Sequence, residues 1–384
     1  MVSAIVRPRT LFLAAALALL IVFPYLYKLP FFDLFLNNIR TFQATRFAIW
    51  LVVLLGLNLL TGYSGQISLG HAAFVTVGAY LGAIFMKDVG VPVFAAILAA
   101  ALLTGLLGFL IGIPALRLSG PYLAIATLAL IIVLPQVLKF DGVINGHHLA
   151  FMDIAERTGG VSGIQLAIPD KPHVPAIIAN NFDMSRDQWL YYNCMAAAVI
   201  MTGIAWSITR SRMGRAFVAL RDSEIGAQQM GVNVSLYKMS AFGLSSLYAG
   251  AGGALYFYEA AYVGPTSFDI TLSLTLLVMI VLGGLASITG TIFAALIMTF
   301  KNEMTDYIVK YLPFGENIGI EQSRGALFGL LLILSIIFTP RGIAGNLHKQ
   351  KEARPGGPRK NRLGALVARI GLTSREKEAE ASSD

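Results

Sequence analysis

The chain has 384 residues, of which 56% are hydrophobic and only 13% charged. A soluble domain carries about 25% charged residues, and here the charges are segregated from long apolar runs, which excludes a soluble globule and points to a polytopic, all-α membrane protein. The formal net charge of +8 lies mostly in 210–238 and after Arg341, as in cytoplasmic loops rather than a nucleic-acid surface, and the single cysteine, Cys194, permits neither a disulfide framework within the chain nor a cysteine metal site.

Arg7 and Arg9 precede an apolar run, 11–29, which ends in Phe23, Pro24, Tyr25, Leu26 and Tyr27 rather than in small residues. It reads as a retained first span and not as a cleaved leader. Further apolar runs cover 42–60, 67–86, 91–113, 121–138, 189–209, 239–260, 272–300 and 324–340. With Arg7 and Arg9 inside, counting crossings places 210–238 inside as well. The intervening loop, 139–188, then lies outside, where its acids (Asp141, Asp153, Glu156, Asp170, Asp183, Asp187) exceed its bases (Lys139, Arg157, Lys171, Arg186). That loop is rich in Gly and Pro and too long for a tight turn, with a short amphipathic helix expected around 149–157.

The basic tail, 341–384, belongs inside by the same rule, so 272–300 must begin and end on one side. Its middle reads Gly283-Gly284-Leu285-Ala286-Ser287-Ile288-Thr289-Gly290, a good place to break a helix. Two helical arms joined near 283–290 are expected, giving a bundle of about ten membrane segments within a permease domain over 1–340. The break should be internal, because irregular backbone survives at membrane depth only under protein or beside water. The tail has the composition of a disordered segment, and 361–371 could lie on an anionic lipid surface.

Gly78 with Gly82, Gly108 with Gly112, and Gly250 with Ala254 are small-xxx-small pairs that let helices approach closely in lipid. No GxxxxGK[ST] occurs, so the chain has no P-loop for ATP, and no cofactor motif is found. Ionisable residues within spans mark ion pathways by default. Here Lys87, Asp88, Arg117 and Glu259 fall at predicted span ends, and no carboxylate pair lies inside a span, which argues against ion coupling. His71 follows the polar run Thr61–Gly70; it reads as a hydrogen-bonded residue at a helix start or as a gate near the mouth of a pathway. Ser68 is expected to cap that helix. His71 has no second His, Ser or acid at metal or catalytic spacing.

The island 210–238 has helical spacing and alternating charge. Ser223 can cap a short helix from Glu224 to Met230, stopped by Gly231, with Ala227 and Met230 as an apolar patch. A solvated loop is the plainer meaning. The cap, the glycine stop and the basic flanks favour a helix that docks on a soluble partner.

Several stretches together resemble the larger of two paralogous permeases of branched-chain amino acid ABC importers. They are Leu59-Leu60-Thr61-Gly62-Tyr63-Ser64-Gly65-Gln66-Ile67-Ser68-Leu69-Gly70-His71, Arg117 through Leu128, Thr158 through Ile164, Gly214-Arg215 with Ala219-Leu220-Arg221-Asp222 and Gly231, Gly264 through Phe268, and Val281 through Gly284. The resemblance implies a paralogous permease partner, two cytoplasmic ATPase subunits and a periplasmic substrate-binding protein, in the inner membrane with both termini cytoplasmic. It implies that the island couples to the ATPase, with Arg215, Arg221, Asp222, Glu224, Ala227 and Gly231 as its contact residues. Of the EAA-type pattern of other importers only Ala227 and Gly231 stand, the outer loop is longer than the family's, and the basic tail is an extra. A weakly polar pathway is expected from Thr61, Ser64, Gln66, Ser68, His71, Thr127, Ser287 and Thr289. Permeases of the same fold carry urea, short-chain amides or small aromatic acids, and these stay open as cargo. A stand-alone ion-coupled carrier would need no ATPase, and a membrane-embedded enzyme would need a polar catalytic cluster that the sequence does not show.

Overall fold

The computed structural model describes residues 41–116, 118, 120–140, 143–144, 147–148, 157–166, 186–311 and 329. The expected spans 11–29 and 324–340 (apart from Gly329), the expected helix at 149–157 (apart from Arg157), Arg117, and the tail 341–384 with its 361–371 segment lie outside the described residues.

The architecture is helical. In chain order the helices are α1 (Thr41–Leu57), α2 (His71–Lys87), α3 (Val93–Ala115), α4 (Pro121–Leu138), α5 (Arg186–Arg210), α6 (Arg212–Asp222), α7 (Glu224–Gln229), α8 (Val234–Ala260), α9 (Ile270–Gly283) and α10 (Ile288–Tyr311). α1 runs on into a π-helical stretch, Asn58–Tyr63. Among the described residues, three helices are long and apolar enough to cross a membrane: Thr41–Tyr63, Val93–Pro114 and Arg186–Arg210. His71–Lys87, Tyr122–Leu138 and Ile270–Gly283 are shorter apolar helices.

α8 has 27 residues yet is rich in Gly, Ser and Tyr. It can be so because it is the central helix, packed against α1, α2 and α3. Protein rather than lipid surrounds it, and a helix so placed does not need an apolar coat. The three small-residue pairs form two faces of this one contact. A Cβ at Gly78 would overlap the backbone of Gly250, and one at Gly82 would sit 2.8 Å from the Ala254 Cβ. On the other face Gly108 meets Ser246 and Gly112 meets Met239. Lipid tails are as apolar as leucine, so close backbone approach and van der Waals contact hold these helices together.

The expected break in 272–300 is present. α9 ends at Gly283, and α10 starts at Ile288 after a four-residue elbow, 284–287. The arms pack on each other where Gly283 faces Gly290. The second arm is longer than expected, reaching Tyr311, because the helix continues through Lys301, Asn302 and Glu303. The elbow is largely covered: Gly284 is buried, and Ala286 and Ser287 are half-buried.

Two-residue strands interrupt the all-helical plan. β1 (Val143–Ile144) pairs antiparallel with β2 (His147–His148). β3 (Ile164–Gln165) pairs antiparallel with β4 (Tyr262–Val263), with Ile164 opposite Val263. The second pair ties the 139–188 loop to the outlet of α8 and brings two of the motif stretches, Thr158–Ile164 and Gly264–Phe268, side by side.

The packing makes a direct expectation. Gly78→Val must push α2 off α8, and overpacking of this kind costs about 1–3 kcal/mol. Gly203 meets nothing within 4 Å, so Gly203→Ala should be silent. Thermal unfolding of the two variants in detergent should show a lowered midpoint for Gly78→Val alone.

Candidate coupling and pathway site

The island folds as two helices at one end of the bundle. α6 starts at Ser211, whose Oγ accepts hydrogen bonds from the amides of Met213 (3.1 Å) and Gly214 (3.5 Å). Its buried residues, Gly214, Ala216, Phe217 and Leu220, recur at helical spacing and form one face. Phe217 packs edge-on against Tyr237. α7 follows at once: Ser223 Oγ accepts from the Gly226 amide at 3.0 Å, and Gly231, with φ of +80°, takes the left-handed position past its end. The cap, the helix and the glycine stop are where the sequence placed them.

The expected apolar patch needs a correction. Ala227 is 3% exposed, and the Val232 amide folds back onto its carbonyl. The outward apolar residues of α7 are Ile225 and Met230, 75% and 86% exposed. Arg215 is exposed and donates to the Arg210 carbonyl at 3.2 Å. Asp222 is exposed and pairs with its neighbour Arg221. Glu224 pairs with Lys238 of α8 at 2.6 Å, which straps α7 to the central helix.

Arg221 reaches furthest inward. Its Nη1 donates to the Gly62 carbonyl at 3.1 Å, at the end of the π-helical stretch. A cation at a helix C-terminus answers the unpaired carbonyls and the dipole there. Gly65 lies under the same side chain; a Cβ there would come within 2.8 Å of Arg221 Cγ.

The pathway candidates separate into two groups. Thr61, Ser64, Gln66, Ser68 and Thr127 are buried around the turn between α1 and α2. Thr61 Oγ1 donates to the Gln66 carbonyl (3.2 Å), Ser64 Oγ to the Leu60 carbonyl (2.7 Å), and Gln66 Nε2 to Ser64 Oγ (2.9 Å). Thr127 Oγ1 accepts from the Leu69 amide at 3.0 Å. Ser68 does not cap α2: the helix begins after Gly70 without a side-chain cap, and Ser273 of α9 instead accepts from the Ala72 amide at 3.0 Å. His71 is wholly buried, with Nε2 at 3.1 Å from the Val53 carbonyl and Nδ1 at 3.4 Å from Ser245 Oγ. That is the hydrogen-bonded reading of His71. Ser287 ends the elbow and Thr289 lies in the first turn of α10; Ser287 Oγ accepts from the Gly290 amide and Thr289 is exposed.

Asn58 was not singled out by sequence, although an amide in a 23-residue apolar helix is a signal in itself. It is 1% exposed and holds the elbow. Oδ1 accepts from the Ala286 amide at 3.0 Å, while Nδ2 donates to the Ser287 carbonyl (3.1 Å) and to Thr291 Oγ1 (2.7 Å). Glu259 lies at a span end as expected, one residue before the end of α8, but it is not open to water. Its side chain is in fact 2% exposed and paired with Arg46 at 3.3 Å, because α1 and α8 run antiparallel and bring the start of one beside the end of the other. Among the described residues no group of His, Cys, Asp and Glu is arranged to hold a metal.

Packed spans with a polar helical crossbar at one end define a polytopic membrane permease. The profile described as "Branched-chain amino acid transport system / permease component" matches residues 39–336, and the chain belongs to that family, a family of transport permeases rather than of catalysts. The chain is 28% identical over 364 residues to the high-affinity branched-chain amino acid transport system permease protein LivM of Escherichia coli (strain K12), covering 90% of this chain and 77% of that one. It is 27% identical over 351 residues to the LivM of Salmonella typhimurium, with the same shares covered. The autoinducer 2 import system permease protein LsrC of Yersinia pseudotuberculosis is 27% identical over 180 residues, covering 45% of this chain and 47% of that one. No solved structure matches.

The cap of α7 is open to measurement. Ser223→Ala should cost about 1 kcal/mol of local helix stability, so the Gly226 amide should exchange with solvent about fivefold faster. Ser223→Asp, which keeps an acceptor, should leave the rate near its original value.

Proposed function

We propose that this chain is a membrane-spanning subunit of an ATP-binding-cassette importer and carries branched-chain amino acids across the inner membrane. It works beside a paralogous permease, takes cargo from a periplasmic binding protein, and is driven by two cytoplasmic ATPase subunits. The family match over 39–336 carries this reading, and the near full-length similarity to proteins named for branched-chain amino acid transport supports the cargo. The half-length similarity to a permease named for autoinducer 2 fits a shared transport scaffold whose cargo differs between members.

In this reading 1–340 is the permease domain, with about ten membrane segments and with 139–188 in the periplasm. Segment 210–238, both termini and the basic tail are cytoplasmic. The charge bias of the loops supports that orientation. α6 and α7 form the lever: Ile225 and Met230 enter the ATPase cleft, and Arg215, Arg221, Asp222, Glu224 and Gly231 set the position of the crossbar. ATP binding draws the ATPases together, and their motion shifts the crossbar and rocks the spans between inward- and outward-facing states. The permease itself hydrolyses nothing.

A pull-down from native membranes tests the assembly. Two ATPase chains and a paralogous permease should be recovered; uptake by the purified chain alone in liposomes would overturn the proposal. Two variants test the lever. Gly231→Pro removes the amide that bonds the Gln228 carbonyl and cannot adopt a φ of +80°. Glu224→Arg turns the strap to Lys238 into a repulsion. Both should insert normally, hydrolyse ATP in the assembled complex and lose most amino acid uptake. Unchanged uptake in both would remove the crossbar from the mechanism.

A further inference from the structure

We propose that Asn58 is the joint through which motion of the crossbar reaches the α9–α10 elbow, making Arg221, the Gly62 turn, Asn58 and residues 284–287 one mechanical unit. This rests on the lever reading of the preceding section and adds the route inside the membrane domain.

The route is a continuous set of short contacts. Arg221 of α6 holds the Gly62 carbonyl. Gly62 lies one turn past Asn58 and packs directly on the elbow, since a Cβ there would fall 2.5 Å from the Ala286 amide nitrogen. Asn58 then bonds the elbow at Ala286 and Ser287 and the first turn of α10 at Thr291. Its amide orientation is fixed by its partners. The Ala286 N–H can only donate and the Ser287 carbonyl can only accept, so Oδ1 and Nδ2 have one arrangement.

Two further observations mark this spot as more than packing. The stretch from Asn58 to Tyr63 is π-helical, a form that is rare and clusters at functional positions. Ala286 has a φ of +56°, in the left-handed region that non-glycine residues seldom enter. Such a conformation persists only where its surroundings over-determine it, and Asn58 does so through the Ala286 amide. Within the otherwise covered elbow Leu285 is 47% exposed, and Thr289 in the first turn of α10 is exposed beside it. A shift of the Gly62 turn is therefore imposed on a strained elbow that has room to move.

The test uses the assembled transporter. Leu285→Cys reports on the elbow through its rate of reaction with a maleimide; the native Cys194 is buried. With Asn58 intact, trapping the ATPases with ATP and vanadate should change that rate by about fivefold or more. In Asn58→Leu the change should vanish and uptake should fall, while ATP hydrolysis by the complex persists. Arg221→Met should give the same loss, and the double variant should be no worse than either single, as expected for one unit. If Asn58→Leu does not assemble, Thr291→Val, which removes one of the three attachments, should cut the response at least in half. A full response in Asn58→Leu or in Thr291→Val overturns the inference. So does a parent complex that contains its ATPases but shows no nucleotide effect at Leu285→Cys. A complex isolated without ATPases overturns the lever reading, and this inference falls with it.

Discussion

Inside a bilayer, every backbone amide and carbonyl must find its partner within the protein. Among the described residues, the π-helical end of α1, the extended link to α2, and the elbow between α9 and α10 depart from regular helix within the bundle. Each is bonded by a side chain from another element. Arg221 answers Gly62, Thr127 answers Leu69, Ser273 answers Ala72, and Asn58 answers Ala286 and Ser287. Removing one such partner leaves a buried group unpaired, which costs about 1–3 kcal/mol. Each irregular segment is therefore tied to another element, and Asn58 ties the π-helical end of α1 directly to the elbow.

The same constraint shapes the composition of the central helix. α8 touches three neighbours through glycine, alanine and serine, which leaves little room between backbones. Close contact transmits displacement well because a packed interface does not deform continuously. α8 also begins at the crossbar, where Lys238 binds Glu224, and ends at the β3–β4 pair. One rigid element thus joins the two faces of the bundle.

Sequence made much of this legible, and the misses share a cause. The cap at Ser223, the stop at Gly231 and the break after Gly283 were all readable because local backbone chemistry determines them. The same holds for the glycine pairs, whose small size has one common use in lipid. Ser68 and the burial of Glu259 were not legible because their surroundings come from distant elements: α9 supplies the partner of the Ala72 amide, and Arg46 of α1 pairs with Glu259. Asn58 escaped notice because attention to charged groups in spans passes over a neutral amide. Its partners lie more than two hundred residues away in the chain, and no spacing rule connects them.

The Arg46–Glu259 pair fastens α1 to α8 at the end opposite Gly62. A rod pinned at one extremity converts rotation into sweep at the other. From residue 46 to residue 62 the helix is about 24 Å long at 1.5 Å per residue, so a tilt of about 5° about its Arg46 end moves Gly62 by about 2 Å. Displacement of that size exceeds the tolerance of a hydrogen bond, so a tilt of α1 by that amount would break its bonds to Arg221 and to the elbow.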